Sequence, residues 1–267
     1  MMSNEIERDS VWLWQQIRRE GADFVKSEPM LASFYYVSLL NHATLASALA
    51  FLLANKLGNT DVPPMLLRQV CEEAYTALPQ IIEAAAADSL AHYDRDPACK
   101  HYAMPLLHFK GFHALQAYRI AHWLWQQQRR ALALFLQNRI ASVFDIDIHP
   151  AASIGTGLML DHGTGVVIGE TAILGNNISM LHSVTLGGCG TDPARRHPQV
   201  GDGVLIASGA KLLGPIAVGR GAKIAAGSVV LDDVPEFTTV AGVPARVVGA
   251  QHLHASALDM DQQFNGS

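Results

Sequence analysis

Residues Ile148 to Val184 read IHPAASIGTGLMLDHGTGVVIGETAILGNNISMLHSV. An apolar residue returns at every sixth position: Ile148, Ile154, Leu160, Val166, Ala172, Ile178 and Val184. A second series follows at Val200, Ile206, Leu212, Val218, Ile224 and Val230. Glycine directly follows Ile154 and Val218, and Gly169, Gly175, Gly209, Gly214, Gly221 and Gly227 lie among the other anchors. The period is too short for a helical repeat. It is the signature of hexapeptide parallel β-helices, where each short strand buries one anchor and each corner takes a compact residue. Three hexads make a triangular coil, so residues 18 apart are expected to stack. Val184 and Val200 are 16 positions apart, which is one hexad and about ten residues more. A loop over roughly Gly188 to His197 is therefore expected to leave the coil, and a polar loop interrupting a regular prism is a natural place for a site.

Outward from this stretch the grammar changes. Before about residue 145 the apolar spacing is helical. Val11, Trp12, Trp14 and Ile17 share a stripe, and a helix after Pro29 runs toward Gly58 with a break near Asn41. Pro63 and Pro64 suit a helix start, with the next segment running toward Ala87. FHALQAYRIAHWLWQQQ places Phe112, Leu115, Ile120, Trp123 and Leu124 at core spacing, and RRALALFLQNRIASVF leads into the first strand. The predicted fold class is α+β. An all-α N-terminal domain over 1–145 precedes a parallel β-helix over 146–249 with its loop at 188–197. A polar, mobile tail over 250–267 completes the chain. An open β-helix end is a row of unpaired strand edges. The helical half is expected to cap one end and DDVPEFTTVAGVPARVVG the other, with lateral association into a trimer.

Nearly half of the 267 residues are hydrophobic and 16% are charged, which excludes a disordered chain. A net charge of −5 gives no electrostatic case for a nucleic-acid partner. Cys71, Cys99 and Cys189 have no CxxC spacing and fit free thiols in a reducing compartment. The apolar stretches are too short and interrupted to span a bilayer, so a cytoplasmic protein without a membrane partner is expected.

Candidate chemical groups gather at DIDIHP (Asp145, Asp147, His149), at LDHGTG (Asp161, His162) and in the loop (Asp192, Arg195, Arg196, His197). His162 follows an anchor by two positions and is expected near a turn. A neutral imidazole there can take a proton from an alcohol or amine near pH 7, or it can be a structural surface histidine. Asp147, 15 residues earlier, can orient it. His182 and His149 read first as structural. Arg195 and Arg196 read as a solvated loop or as a grip on a carboxylate. Ser208, Ala226 and Gly227 with Lys211 and Lys223 give small corners beside cations, which tight turns alone also require.

DIHPAASIGTGLMLDHGTGVVIGE, HSVTLGG, RRHPQVGDGVLI and AGVPARVVG together resemble the bacterial serine O-acetyltransferases of the hexapeptide acyltransferase superfamily. EPMLASFYY, KGFHALQAYRIAHWLW, ALALFLQN and DMDQQFNG extend the resemblance over almost the whole chain. The resemblance implies a left-handed coil and trimers paired into a hexamer through the helical domain, 1–145, which would thus serve oligomerisation, with sites between neighbouring coils. It implies acetyl transfer from acetyl-CoA to the hydroxyl of L-serine, the first committed step toward cysteine, with no metal. It places the general base at His162 and its orienting carboxylate at Asp147. Asp96 and Asp161 would hold the serine amino group and Arg196 its carboxylate. His197 would complete the pocket as a secondary base candidate. The CoA arm would pass Gly188, Ser208, Ala226 and Gly227, with Lys223 near the phosphates. L-Cysteine would inhibit from the serine site, with the segment around Met260 taking part. Many relatives end in an isoleucine that enters O-acetylserine sulfhydrylase, whereas this sequence ends NGS at Ser267, which leaves that partner open. The alternatives are a sugar or homoserine acceptor, and a zinc carbonic anhydrase built on His149, His162, His182 and His197.

Overall fold

The structure, a computed structural model, describes residues 8–248 and 255–260. It divides into two compact units, Met1–His108 and Phe109–Ser267. Among the described residues no single helix is long and apolar enough to cross a membrane.

In the first unit, α1 (Ser10–Ser27) starts where the Asp9 carboxylate accepts the Trp12 N–H at 2.7 Å, a side-chain N-cap. Its inward stripe is Leu13, Trp14, Ile17 and Gly21, so Val11, expected on that stripe, is exposed instead. The segment after Pro29 is broken as expected. A 3-10 turn, α2 (Ala32–Tyr35) and a π turn over Tyr36–Leu40 end at Asn41, and Thr44 then caps α3 (Leu45–Leu57). Pro64 opens α4 (Pro64–Ala77), but the segment does not continue unbroken toward Ala87. Pro79 sits at the break, where its ring cannot follow a helical carbonyl, and α5 (Gln80–Arg95) begins after it. The short α6 (Ala103–His108) closes the unit.

The second unit begins with two helices, α7 (Lys110–Gln126) and α8 (Arg130–Phe144), which pack together. The N-terminal run of helices thus ends at Phe144, but α7 and α8 belong to the same compact unit as the strands. The strands form three flat faces. Face A stacks β1 (Ile146–Ile148), β4 (Val166–Ile168), β7 (Thr185–Gly187), β10 (Lys211–Leu213) and β13 (Val229–Val230). Face B stacks β2 (Ser153–Ile154), β5 (Ile173–Leu174), β8 (Gln199–Val200) and β11 (Ala217–Val218). Face C stacks β3 (Met159–Leu160), β6 (Ser179–Met180), β9 (Leu205–Ile206), β12 (Lys223–Ile224) and β14 (Thr239–Gly242), and antiparallel β15 (Ala245–Val247) finishes it. This is the expected parallel β-helix, and the hexad anchors other than the half-buried Ile154 form its dry interior.

The register corrects the 18-residue expectation. Ile148 pairs with Ile168, Ile154 with Leu174 and Leu160 with Met180, each 20 residues on, whereas Ile168 pairs with Leu186 after 18. The two extra residues therefore lie between Leu160 and Ile168, in the corner that carries Asp161 and His162. Strands bury alternate residues, so two inward series run side by side, and the six-residue count passes from one to the other at this corner. The same offset explains the loop. Leu174 pairs with Val200, 26 residues on, so the insertion adds eight residues to an 18-residue coil rather than about ten.

The two ends of the coil are closed differently. Inside the stack, the Ala172 carbonyl accepts the Ser153 N–H from the coil below at 3.0 Å. Its equivalent one coil down, the Ala152 carbonyl, has no coil beneath it and accepts the Tyr118 hydroxyl of α7 instead. Arg119 donates to the Gly155 carbonyl at 2.8 Å and His122 to the Pro150 carbonyl at 2.8 Å. Helix α7 thus supplies donors to an edge that would otherwise be left open. It lies so close that a Cβ on Gly111 would stand 2.0 Å from the Leu160 carbonyl oxygen. At the far end the β14–β15 hairpin ends the ladder. Within the stretch expected to be a mobile tail, α9 (Ser256–Asp259) packs on the coil. Ala257 N–H donates to the Gly203 carbonyl at 3.0 Å, and the Ser179 hydroxyl donates to the Ala257 carbonyl at 2.9 Å. The rest of that tail, including the Ser267 terminus, lies outside the described residues.

Candidate active site

Chain direction puts a corner at each side of face A. The corner from face C to face A carries, coil by coil, Asp161 to Gly165, His182 and Ser183, Ser208 and Gly209, and Ala226 and Gly227. These corners are tied vertically: Ser183 N–H to the Thr164 carbonyl at 2.7 Å, Gly209 N–H to His182 at 2.9 Å and Gly227 N–H to Ser208 at 2.8 Å. Expected residues His162, Ser208, Ala226 and Gly227 therefore share one column.

His162 sits in the enlarged corner with φ at 57°, a left-handed conformation that turns its side chain outward to 74% exposure. Asp161 Oδ1 lies 3.8 Å from its Nε2, and the His182 ring, one coil on, is centred 6.2 Å away. Asp147 points outward from face A in β1, and its carboxylate accepts Gln137 Nε2 of α8 at 2.7 Å. The carboxylate against the His162 ring in this structure is thus that of Asp161. Gly227 has open space on its Cβ side, so the upper column offers bare backbone to a ligand. Lys223 stands apart from this column, on face C and only 3% exposed.

The opposite corner, from face A to face B, carries His149, Glu170 and Thr171, and then the loop with Arg196 and His197. Arg196 Nη2 is paired with the Glu170 carboxylate, and this hydrogen bond chiefly holds Glu170 below the usual carboxylate range. The His197 ring is wedged between glycines: a Cβ on Gly169 would come within 2.0 Å of it and one on Gly188 within 2.9 Å. Gly188, expected along the CoA arm, therefore lies at the base of the loop rather than in the other column. Burial first, then the Arg196 charge, lowers the His197 pKa below the ordinary histidine value. Burial lowers His149 likewise, with Trp125 edge-on to its ring at 5.2 Å. Arg195 reaches the Pro215 carbonyl at 3.4 Å and is exposed. Asp96 belongs to the first unit, where it ends α5 and its Oδ1 accepts the Ala98 N–H at 2.8 Å.

Glu170 and Thr171 did not stand out in the sequence, although a signal existed. They precede Arg196 and His197 by 26 residues, which is the length of the loop-bearing coil, so each pair meets one above the other. Chemically, one corner offers an exposed imidazole beside a carboxylate and a run of bare backbone. The other offers a guanidinium held in place and a buried neutral imidazole, a set suited to a carboxylate.

Two sequence families match the chain: "Serine acetyltransferase, N-terminal" over residues 13–117 and "Bacterial transferase hexapeptide (six repeats)" over residues 197–232. The serine acetyltransferase of Escherichia coli (strain K12) is 57% identical over 254 residues, covering 95% of this chain and 93% of that protein. A serine acetyltransferase solved in complex with cysteine is 52% identical with a TM-score of 0.94, covering 96% of this chain and 99% of that one. Another, solved in complex with CoA, is 54% identical with a TM-score of 0.86, covering 90% and 100%.

Proposed function

The chain belongs to the serine acetyltransferase family, and from that premise we propose that its site is completed between two copies, with His162 as general base on one and Arg196 on the other. The reaction carries acetyl from acetyl-CoA to the hydroxyl of L-serine, giving O-acetyl-L-serine and CoA, on the way to cysteine. A serine hydroxyl is a poor nucleophile at neutral pH and needs a base within hydrogen-bond reach. His162 takes the hydroxyl proton as the oxygen attacks the thioester carbonyl. When the tetrahedral intermediate collapses, the CoA sulfur leaves and takes that proton from the imidazolium. Asp161 holds the substrate ammonium, and Arg196, steadied by Glu170, holds its carboxylate. The family resemblance, rather than a contact in one chain, gives Asp147, on the face beside the base and bonded to Gln137, the part of orienting it. The CoA arm runs along the backbone of Ser208, Ala226 and Gly227.

The observation that carries this reading is the position of the two groups at opposite sides of face A. Strand β4 between them is three residues long, so they stand on the order of 10 Å apart or more in one chain. A serine molecule cannot bridge that gap. A neighbouring coil in a threefold trimer, offering its loop corner to the His162 corner, can close it. L-Cysteine carries the same ammonium and carboxylate as serine, so the same groups admit it as an end-product inhibitor.

Co-expression tests the arrangement. His162→Ala alone is expected to lose two to four powers of ten in turnover, the range for a lost general base. Arg196→Ala is expected to be impaired mainly in serine binding. Mixed oligomers of the two restore roughly a quarter of the sites under random threefold assembly, measured with serine well below its KM. Recovery no greater than the sum of the separate variants would place both groups in one chain's site.

A further inference from the structure

We propose that Thr171 is a positioning residue that locks His197 as the neutral Nε2–H tautomer, making His197 a hydrogen-bond donor and not a base. This rests on the reading that Arg196 and His197 face the substrate carboxylate.

The geometry fixes the tautomer. His197 Nδ1 receives the Thr171 backbone N–H at 3.2 Å, and a backbone amide can only donate. Nδ1 must therefore present its lone pair. The Thr171 hydroxyl lies 2.9 Å from the same nitrogen. That hydroxyl oxygen already accepts two backbone donors, Arg196 N–H at 3.1 Å and His197 N–H at 3.2 Å, so its own proton is free for Nδ1. One threonine thus ties down the end of the loop and the ring it carries. With Nδ1 occupied, the single ring proton of neutral His197 resides on Nε2, which has no hydrogen-bond partner among the described residues. A half-turn of the ring would bring Cδ2 to the place of Nδ1 and forfeit both contacts to Thr171.

Taking up a second proton would put N–H against N–H at Thr171. The charges around the ring agree: burial and Arg196 oppose a cation, His149 adds to them, and Glu170 alone favours it. An Nε2–H donor beside the Arg196 guanidinium supplies a carboxylate with a neutral hydrogen bond next to a charged one. It cannot take the serine proton.

Three variants and a ring-nitrogen spectrum test this. Ring-¹⁵N-histidine enzyme is examined by solid-state NMR as the intact sedimented oligomer, the His197 signal being the one missing from His197→Ala. At pH 7.5 the wild-type signal is expected to show a bare Nδ1 and a protonated Nε2. Thr171→Val removes the hydroxyl at nearly constant shape. Only the longer backbone contact to Nδ1 then remains and the loop end is untied, so the variant is expected to admit some Nδ1–H form and to raise KM for serine about three- to tenfold with kcat within about twofold, while Thr171→Ser restores both. A protonated Nδ1 in the wild type overturns the lock. So does a Thr171→Val enzyme with unchanged tautomer and KM. If the tautomer behaves as stated but His197→Ala leaves KM for serine unaltered, the lock stands and the carboxylate-site reading falls.

Discussion

Replacing Gly111 with alanine sets two effects against each other. In an open helix interior the change would gain about 1 kcal/mol of helix propensity. At this position the new Cβ would meet the Leu160 carbonyl oxygen at 2.0 Å and its carbon at 3.1 Å. Both are backbone atoms, so no rotamer relieves the clash. Helix α7 must move away from β3 by more than about 1 Å to reach ordinary contact distance. That motion also stretches the bonds from Tyr118, Arg119 and His122 to the first coil. Overpacking costs about 1–3 kcal/mol, and more where several contacts shift together, so a net loss of about 2 kcal/mol is expected. For a unit of this size, that lowers the thermal midpoint by about 4–8 °C. Scanning calorimetry on the intact enzyme reads it directly. Leu160 leads straight into Asp161 and His162, so turnover is expected to fall as well. A midpoint that stays level or rises would mean that propensity won and that α7 does not press on β3 as described.

Tyr118→Phe leaves the buried Ala152 carbonyl without its donor, and urea unfolding is expected to show a loss of about 1–3 kcal/mol; an unchanged midpoint would show that the edge needs no closing hydroxyl. Glu170→Gln removes the charge that holds Arg196, so KM for serine is expected to rise several-fold with kcat nearly unchanged, and equal losses in kcat and kcat/KM would refute a purely positioning part. Stability is expected to fall on acidification. His42, His108, His149 and His197 are all held below the ordinary histidine value, chiefly by burial, so below about pH 6.5 the unfolded chain binds more protons than the folded one. Glu170, depressed by Arg196, contributes above the usual carboxylate range and loses its contribution as pH falls through its lowered folded value. A thermal midpoint at pH 5 equal to or above that at pH 7.5 would contradict the histidine contribution.

The repeat was legible because an inward anchor every six residues leaves few alternatives, and the long α7 was legible because its core spacing is regular. What escaped was offset. Counting from Ile148 to Val184 in sixes crosses from one inward series to the other without a break in hydrophobicity, so the enlarged His162 corner stayed hidden. The loop was then overcounted by two, and the stacking of Glu170 on Arg196 and Thr171 on His197 could not be read. Val11 and Pro79 show the usual limits: an apolar residue can face outward, and a proline can end a segment that composition alone would continue. His162 itself was singled out from its chemistry beside an anchor, but its outward turn goes with the left-handed backbone at that residue, which no hydrophobic pattern encodes.

The two closures of the coil make the molecule a ruler with fixed ends. A tyrosine hydroxyl stands in for the missing rung at one end and a hairpin stops the ladder at the other, so neither end can accept another coil without losing its closure. Length can change only in the interior, by whole 18-residue turns such as the one from Lys211 to Val229. Each such turn would lengthen the corner column by about 4.8 Å and leave both ends untouched. The distance from the His162 corner to the upper backbone at Gly227 is therefore counted in turns, and a shorter or longer acyl carrier would be matched by deleting or duplicating one.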